Sequence, residues 1–141
     1  GVDPVSRKEF WEMLKALKAQ GITILVSTPY MDEAVLCDRI ALIQNGSFLG
    51  IETPQEIISD FKETIWSARS LKMSALLKDL RLCPGIESCF AFGEVHHITV
   101  DESLLTIASL KKYLQEKGHL DIDIQTIKPT IEDCYMQLAS K

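Results

Sequence analysis

Asp32 and Glu33 stand side by side, and paired carboxylates invite an acid–base reading with one group protonated and the other ionised. They fall where a short helix should open, and acidic side chains in a first turn serve the helix dipole instead. His96 and His97 are also neighbours. On a strand they must point to opposite faces, so they cannot both ligate one ion, and exposed or edge positions are expected for them. Cys37, Cys83, Cys89 and Cys134 have no CxxC and no paired spacing, which reads as free thiols of a reducing cytosol. A zinc site drawing on His96, His97 or His119 would lack the usual ligand spacing. Trp11, Trp66, Phe90 and Phe92 read as core residues, with ligand stacking by the two phenylalanines as the alternative.

The stretch that must position any site is GITILVSTPYMDEAVLCDR, residues 21–39. Residues 22–26 form a short, β-branched apolar run without polar alternation, the pattern of a strand buried on both faces in a parallel sheet. It ends in Ser27-Thr28-Pro29, and ligand sites in open α/β sheets lie at the C-terminal ends of strands.

The remaining elements follow from their punctuation. Ser6-Arg7-Lys8-Glu9 is a capping box, with Asp3-Pro4 a competing start for the same helix. Phe10, Met13, Leu14 and Leu17 make its apolar stripe, and Gly21 lies just past its end. Asn45-Gly46 between apolar runs predicts a β-hairpin. Thr53 caps a helix with Pro54 in its first position, running to about Phe61.

Beyond that point the pattern predicts a strand at 63–69, a helix at 71–81, strands at 86–92 and 95–100, a helix at 103–117, a strand at 121–127 and a helix at 130–139. In the strand at 86–92, Ile86, Ser88, Phe90 and Phe92 share one face. Thr130 caps the last helix with Asp133 at its third position. The order β-α-β-β-α-β is that of a ferredoxin-like split unit.

Composition limits the function classes. With 141 residues there is room for one domain or two small ones, and 46% hydrophobic with 25% charged residues is ordinary for a globular protein. Residues 1–61 carry a net charge of −4 and residues 62–141 a net of −1. Neither half has the basic surplus that nucleic acid requires. No apolar run is long enough for a membrane span, and the first twenty positions are too polar for a signal peptide.

Four segments in fixed order carry a resemblance: GVDP at the start, ITILVSTPYMDEA, CDRIALI and NGSFL. Together they resemble the last part of an ATP-binding-cassette (ABC) ATPase domain, closest to the branch that powers multidrug-type and other export permeases. The resemblance is dense over residues 1–61. More loosely, residues 62–141 resemble the small accessory domain that follows the ATPase core, and Lys128-Pro129-Thr130-Ile131-Glu132-Asp133 is similar to the segment ending many such subunits.

What the resemblance implies is specific. The fold expected is α/β: the C-terminal part of a P-loop ATPase core at 1–61, then a ferredoxin-like accessory domain at 62–141. Asp3 falls on the D-loop aspartate of the nucleotide-dimer interface, a role it can combine with capping a helix. Pro29 occupies the position where the family has its switch histidine. Proline has neither a titratable group nor an amide hydrogen, so Thr28 or Tyr30 substitutes in part, or hydrolysis is weakened, or the replacement is not native. No GxxxxGK[ST] segment is present, and the signature and Walker B carboxylates are missing as well. Gly1 is not an initiator methionine, and the chain is expected to be the C-terminal piece of a longer subunit. ATP and Mg2+ belong to that parent and not to this piece alone. The partners implied are a transmembrane permease and a second ATP-binding subunit, on the cytoplasmic side of the membrane. The rival readings are a stand-alone ferredoxin-like ligand-binding or dimerisation module, and a regulator derived from a degenerate ATPase.

Overall fold

The computed structural model describes residues 3–139, so Gly1 and Val2 of the GVDP segment lie outside the described residues. The first helix, α1 (Pro4–Ala19), starts from Asp3 and not from the Ser6 box. Pro4 is tolerated at the first helical position because its missing N–H would have had no intrahelical acceptor. The helix closes with the Gly21 N–H on the Lys18 carbonyl and the Ile22 N–H on the Leu17 carbonyl, a Schellman arrangement.

Residues 22–26 depart from expectation. They form no strand, and Leu25 is 98% exposed. A strand needs a neighbour to take up its amides and carbonyls, and among the described residues every strand pairs elsewhere. The parallel sheet read from the apolar run is therefore replaced by two antiparallel sheets in a mixed α/β fold. The chain divides into two compact units between Tyr30 and Met31.

In the second unit, α2 (Met31–Ala34) is followed by β1 (Ile40–Gln44) and β2 (Ser47–Glu52), an antiparallel hairpin. Asn45 and Gly46 take φ of 50° and 78°, the left-handed pair that a type I′ turn demands. Helix α3 (Pro54–Asp60) begins in a complete capping box between Thr53 and Glu56. Ala34, Ile40, Leu42 and Ile57 from these elements cluster with Ile131 and Cys134 of the last helix, α6 (Ile131–Ala139).

The larger sheet has the order β4-β5-β3-β6, built from β3 (Thr64–Arg69), β4 (Ile86–Phe92), β5 (Val95–Val100) and β6 (Asp123–Ile127). All three of its pairings are antiparallel. One face packs on α4 (Met73–Arg81) and α5 (Ile107–Glu116), where Leu76, Leu80, Leu110 and Leu114 are fully buried against Trp66, Ala68 and Ile98. Helix α5 begins later than the pattern predicts because Thr106 and Ser109 close a capping box there.

A bulge between Ile86 and Ser88 corrects another reading. An extra residue turns the alternation over, so Ile86 packs on the helix-covered core while Ser88 and Phe90 face the opposite way with Thr99 and His97.

Candidate functional site

Asp3 is fixed by the helix it starts. Its Oδ1 accepts the amides of Val5 at 2.9 Å and Ser6 at 3.2 Å, and its Oδ2 accepts the Ser6 hydroxyl at 2.5 Å. The hydrogen bonds from the Ser6 side chain, then from the Ser6 and Val5 amides, hold its carboxyl below the ordinary value. Asp3 is thus an ionised cap. In the same unit, Thr28 Oγ1 accepts the Tyr30 amide at 3.1 Å, bending the chain across Pro29 into a small turn.

Arg7 joins these two features, and no sequence pattern pointed to it. Its amide donates to the Asp3 carbonyl at 3.0 Å, and its guanidinium lies 4.7 Å over the centre of the Tyr30 ring. That cation–π contact ties the helix start to the Thr28–Pro29–Tyr30 turn. The only sequence signal was the one-turn offset of Arg7 from Asp3, which says nothing of Tyr30. Asp32 and Glu33 lie in the first turn of α2, where the helix-dipole reading puts them.

Both histidines expected at exposed or edge positions lie inside instead. They do face opposite ways. His96 is 4% exposed on the helix-covered side, where its Nε2–H donates to the Met73 carbonyl at 2.8 Å. Its Nδ1, like the indole nitrogen of Trp66, is buried with no hydrogen-bond partner among the described residues. His97 lies on the other face, stacked at 4.2 Å on Phe92, and its Nδ1 is 2.7 Å from Asp133 Oδ1. The central place of β5 removes any edge position, and what packs on each face buries the rings: Met73 of α4 meets His96, while Asp133 of α6 and Phe92 cover His97.

Asp133 Oδ2 meanwhile accepts the Thr130 amide and hydroxyl, closing the expected cap of α6. Burial pushes this carboxyl upward, but the hydrogen bonds from His97 and Thr130 prevail and hold it below the ordinary value. It is an ionised acceptor, so Nδ1 of His97 carries the shared proton. A shallow depression beside the pair is lined by Phe61, Ser88, Phe90, Thr99 and Gln137. Phe90 is half-buried there; Phe92, also half-buried, is engaged by His97.

A serine, a histidine and an aspartate also meet elsewhere. The Ser70 hydroxyl lies 3.3 Å from His119 Nδ1, and His119 Nε2 donates to Asp79 Oδ2 at 2.7 Å. The atoms suit a nucleophile, but Ser70 and His119 are 6% and 7% exposed. The Leu71 amide also binds the Leu120 carbonyl, and Tyr113 binds the Asp79 carbonyl. This network clamps two loops to α4.

All four cysteines are free thiols. Among the described residues no three His, Cys, Asp or Glu side chains gather in a way that could hold a metal ion. No described helix is long and apolar enough to cross a membrane.

No protein-family model matches the chain. Individual proteins do. It is 42% identical over 57 residues to the probable multidrug ABC transporter ATP-binding protein YbhF of Escherichia coli (strain K12), covering 40% of this chain and 10% of that protein. It is 27% identical over 143 residues to the daunorubicin resistance ATP-binding protein DrrA2 of Streptomyces coeruleorubidus, covering 98% of this chain and 44% of that one. With the Nod factor export ATP-binding protein I of Ralstonia nicotianae it shares 43% identity over 60 residues, 42% of this chain and 19% of the relative. The chain therefore spans less than half the length of each of these three relatives. The expected resemblance holds: this chain is similar to ABC transporter ATP-binding proteins of the multidrug and export type.

Proposed function

We propose that the chain is the C-terminal portion of an ATP-binding subunit that couples ATP binding and hydrolysis to export through a membrane permease. The observation that carries this reading is the state of residues 22–30. An apolar, β-branched run forms no strand, leaves Ile22 and Leu25 exposed with Leu25 at 98%, and leads directly into the Thr28–Tyr30 turn that Arg7 holds beside an Asp3-capped helix. Such a run gains stability only when further strands pair with it, and the longer relatives have the length to supply them. Asp3 and Thr28 then belong to the nucleotide site or the interface between two ATP-binding subunits, with Pro29 in the place of the switch histidine.

ATP and Mg2+ fit the parent and not this chain alone. A triphosphate needs a ring of backbone amides and a lysine, and the chain has no GxxxxGK[ST] segment to supply them. The isolated chain accordingly does not turn over ATP. The division proposed is a core portion over 1–61 and an accessory domain over 62–141. In the accessory domain the β-α-β-β-α-β order combined with the sheet order β4-β5-β3-β6 supports a ferredoxin-like arrangement. The subunit would sit at the cytoplasmic side of the membrane, against its permease and a second ATP-binding subunit, with no role for nucleic acid.

A second reading, a stand-alone ligand-binding or dimerisation module, draws support from the four-stranded sheet, whose core with α4 and α5 is complete in itself. A regulator derived from a degenerate ATPase would suit Pro29. The ATPase rate of the full-length subunit, with Pro29 as it stands and as Pro29→His, separates the three. Measurable turnover that rises on substitution supports the transporter reading. A parent without a P-loop, or one inactive with either residue, overturns it.

A further inference from the structure

We propose that helix α6 is a coupling strut between α2 and the four-stranded sheet, and that His97 is the residue that positions it. The inference stands on the second compact unit alone and does not depend on any nucleotide.

Helix α6 is shared between two packing environments. On one side Ile131 and Cys134 enter the cluster of Ala34, Ile40, Leu42 and Ile57. That seating is keyed by polar contacts: the Cys134 thiol meets the Ile57 carbonyl at 3.6 Å, and Gln44 Nε2 donates to the Ala139 carbonyl at 3.0 Å. On the other side Asp133 meets His97 of β5, and the Gln137 amide binds the Glu63 carboxylate.

One carboxylate does two jobs at this seam. Asp133 Oδ2 caps the helix through Thr130 while Oδ1 holds the sheet through His97. The place where α6 begins and the place where it meets the sheet are therefore set by the same group. His97 is itself held flat against Phe92, so it offers its Nδ1–H in a fixed direction.

Close-packed interiors do not yield continuously, so a shift of α2 must either open the cluster around Ala34 or carry α6 with it. Met31 follows Tyr30 in the chain, which puts α2 next in line after the Thr28–Tyr30 turn. Coupling of this kind is reciprocal: a change at His97 must be felt at α2, and a change at α2 must be felt at His97.

Hydrogen exchange on the 141-residue chain tests the first direction, comparing the unaltered protein with His97→Ala and His97→Asn. The asparagine amide occupies the place of Nδ1 and keeps the donor. His97→Ala should speed exchange in α6, α2 and β1 by about tenfold or more, the fold-change expected from losing a hydrogen bond to a charged group. It should leave α4 and α5 unchanged, and His97→Asn should restore the protection. An effect confined to the first turn of α6 overturns the proposal. So does a uniform rise that includes α4 and α5, which would make His97 a general stabiliser. For the second direction, Ala34→Gly should move the imidazole nitrogen resonances of His97, and unmoved resonances would sink the idea even where the alanine variant fails to fold.

Discussion

His97 Nδ1 and Asp133 Oδ1 lie 2.7 Å apart although 36 positions separate them in the chain, and both side chains are largely shielded from solvent. The carboxyl of Asp133 is held below its ordinary value, burial being outweighed by its hydrogen bonds from His97 and Thr130. An acid with a depressed folded value contributes stability that is complete above its unfolded value, near pH ~4, and is lost as pH falls through the folded one. Acid unfolding followed by circular dichroism should therefore steepen below about pH 4. Asp133→Asn should flatten that limb and cost roughly 1.5–3 kcal/mol at neutral pH. A variant with an unchanged acid limb would show that the pair is not the sensitive group.

Leu76 and Leu25 make an opposed pair. Leu76 is fully buried and Leu25 is 98% exposed. Leu76→Ala should cost about 2–5 kcal/mol in denaturant unfolding, the transfer and cavity terms together. Leu25→Ser should stay within about 0.5 kcal/mol in this chain while reducing self-association measured by light scattering. In the longer subunit proposed above, the same serine should destabilise by the amount typical of a core site. Equal neutrality in both contexts would count against a strand completed by the parent.

The four thiols should differ sharply in reactivity. Burial pushes Cys89 and Cys134 up to about 11, and it raises Cys83 as well. Cys37, raised by burial and by the neighbouring Asp38 and Glu33, is only half-buried while the other three are buried. At pH ~8 almost no thiolate forms in the folded core. A disulfide exchange reagent should modify Cys37 slowly and the other three only after unfolding. Rapid reaction of two or more thiols in the folded protein would contradict the packing.

Local chemistry carried much of this fold in the sequence. The Asn45-Gly46 turn, the Thr53 cap with Pro54 in the first helical position and the Thr130–Asp133 cap each satisfy their own backbone within a few residues, so they could be read without knowing the neighbours. The element order from β3 to α6 was legible for the same reason, as was the relation to export-type ATP-binding proteins, because ordered motifs survive outside their context. Tertiary structure decided what depends on distant partners. Whether residues 22–26 form a strand rests on pairing that no local pattern contains. The bulge at Glu87 that turns Ile86 inward, the interior places of His96 and His97, the stacking of Arg7 on Tyr30 and the double use of Asp133 arise from groups brought together across the chain. A side chain's type fixes what bonds it can make, and only packing determines which partner is within reach.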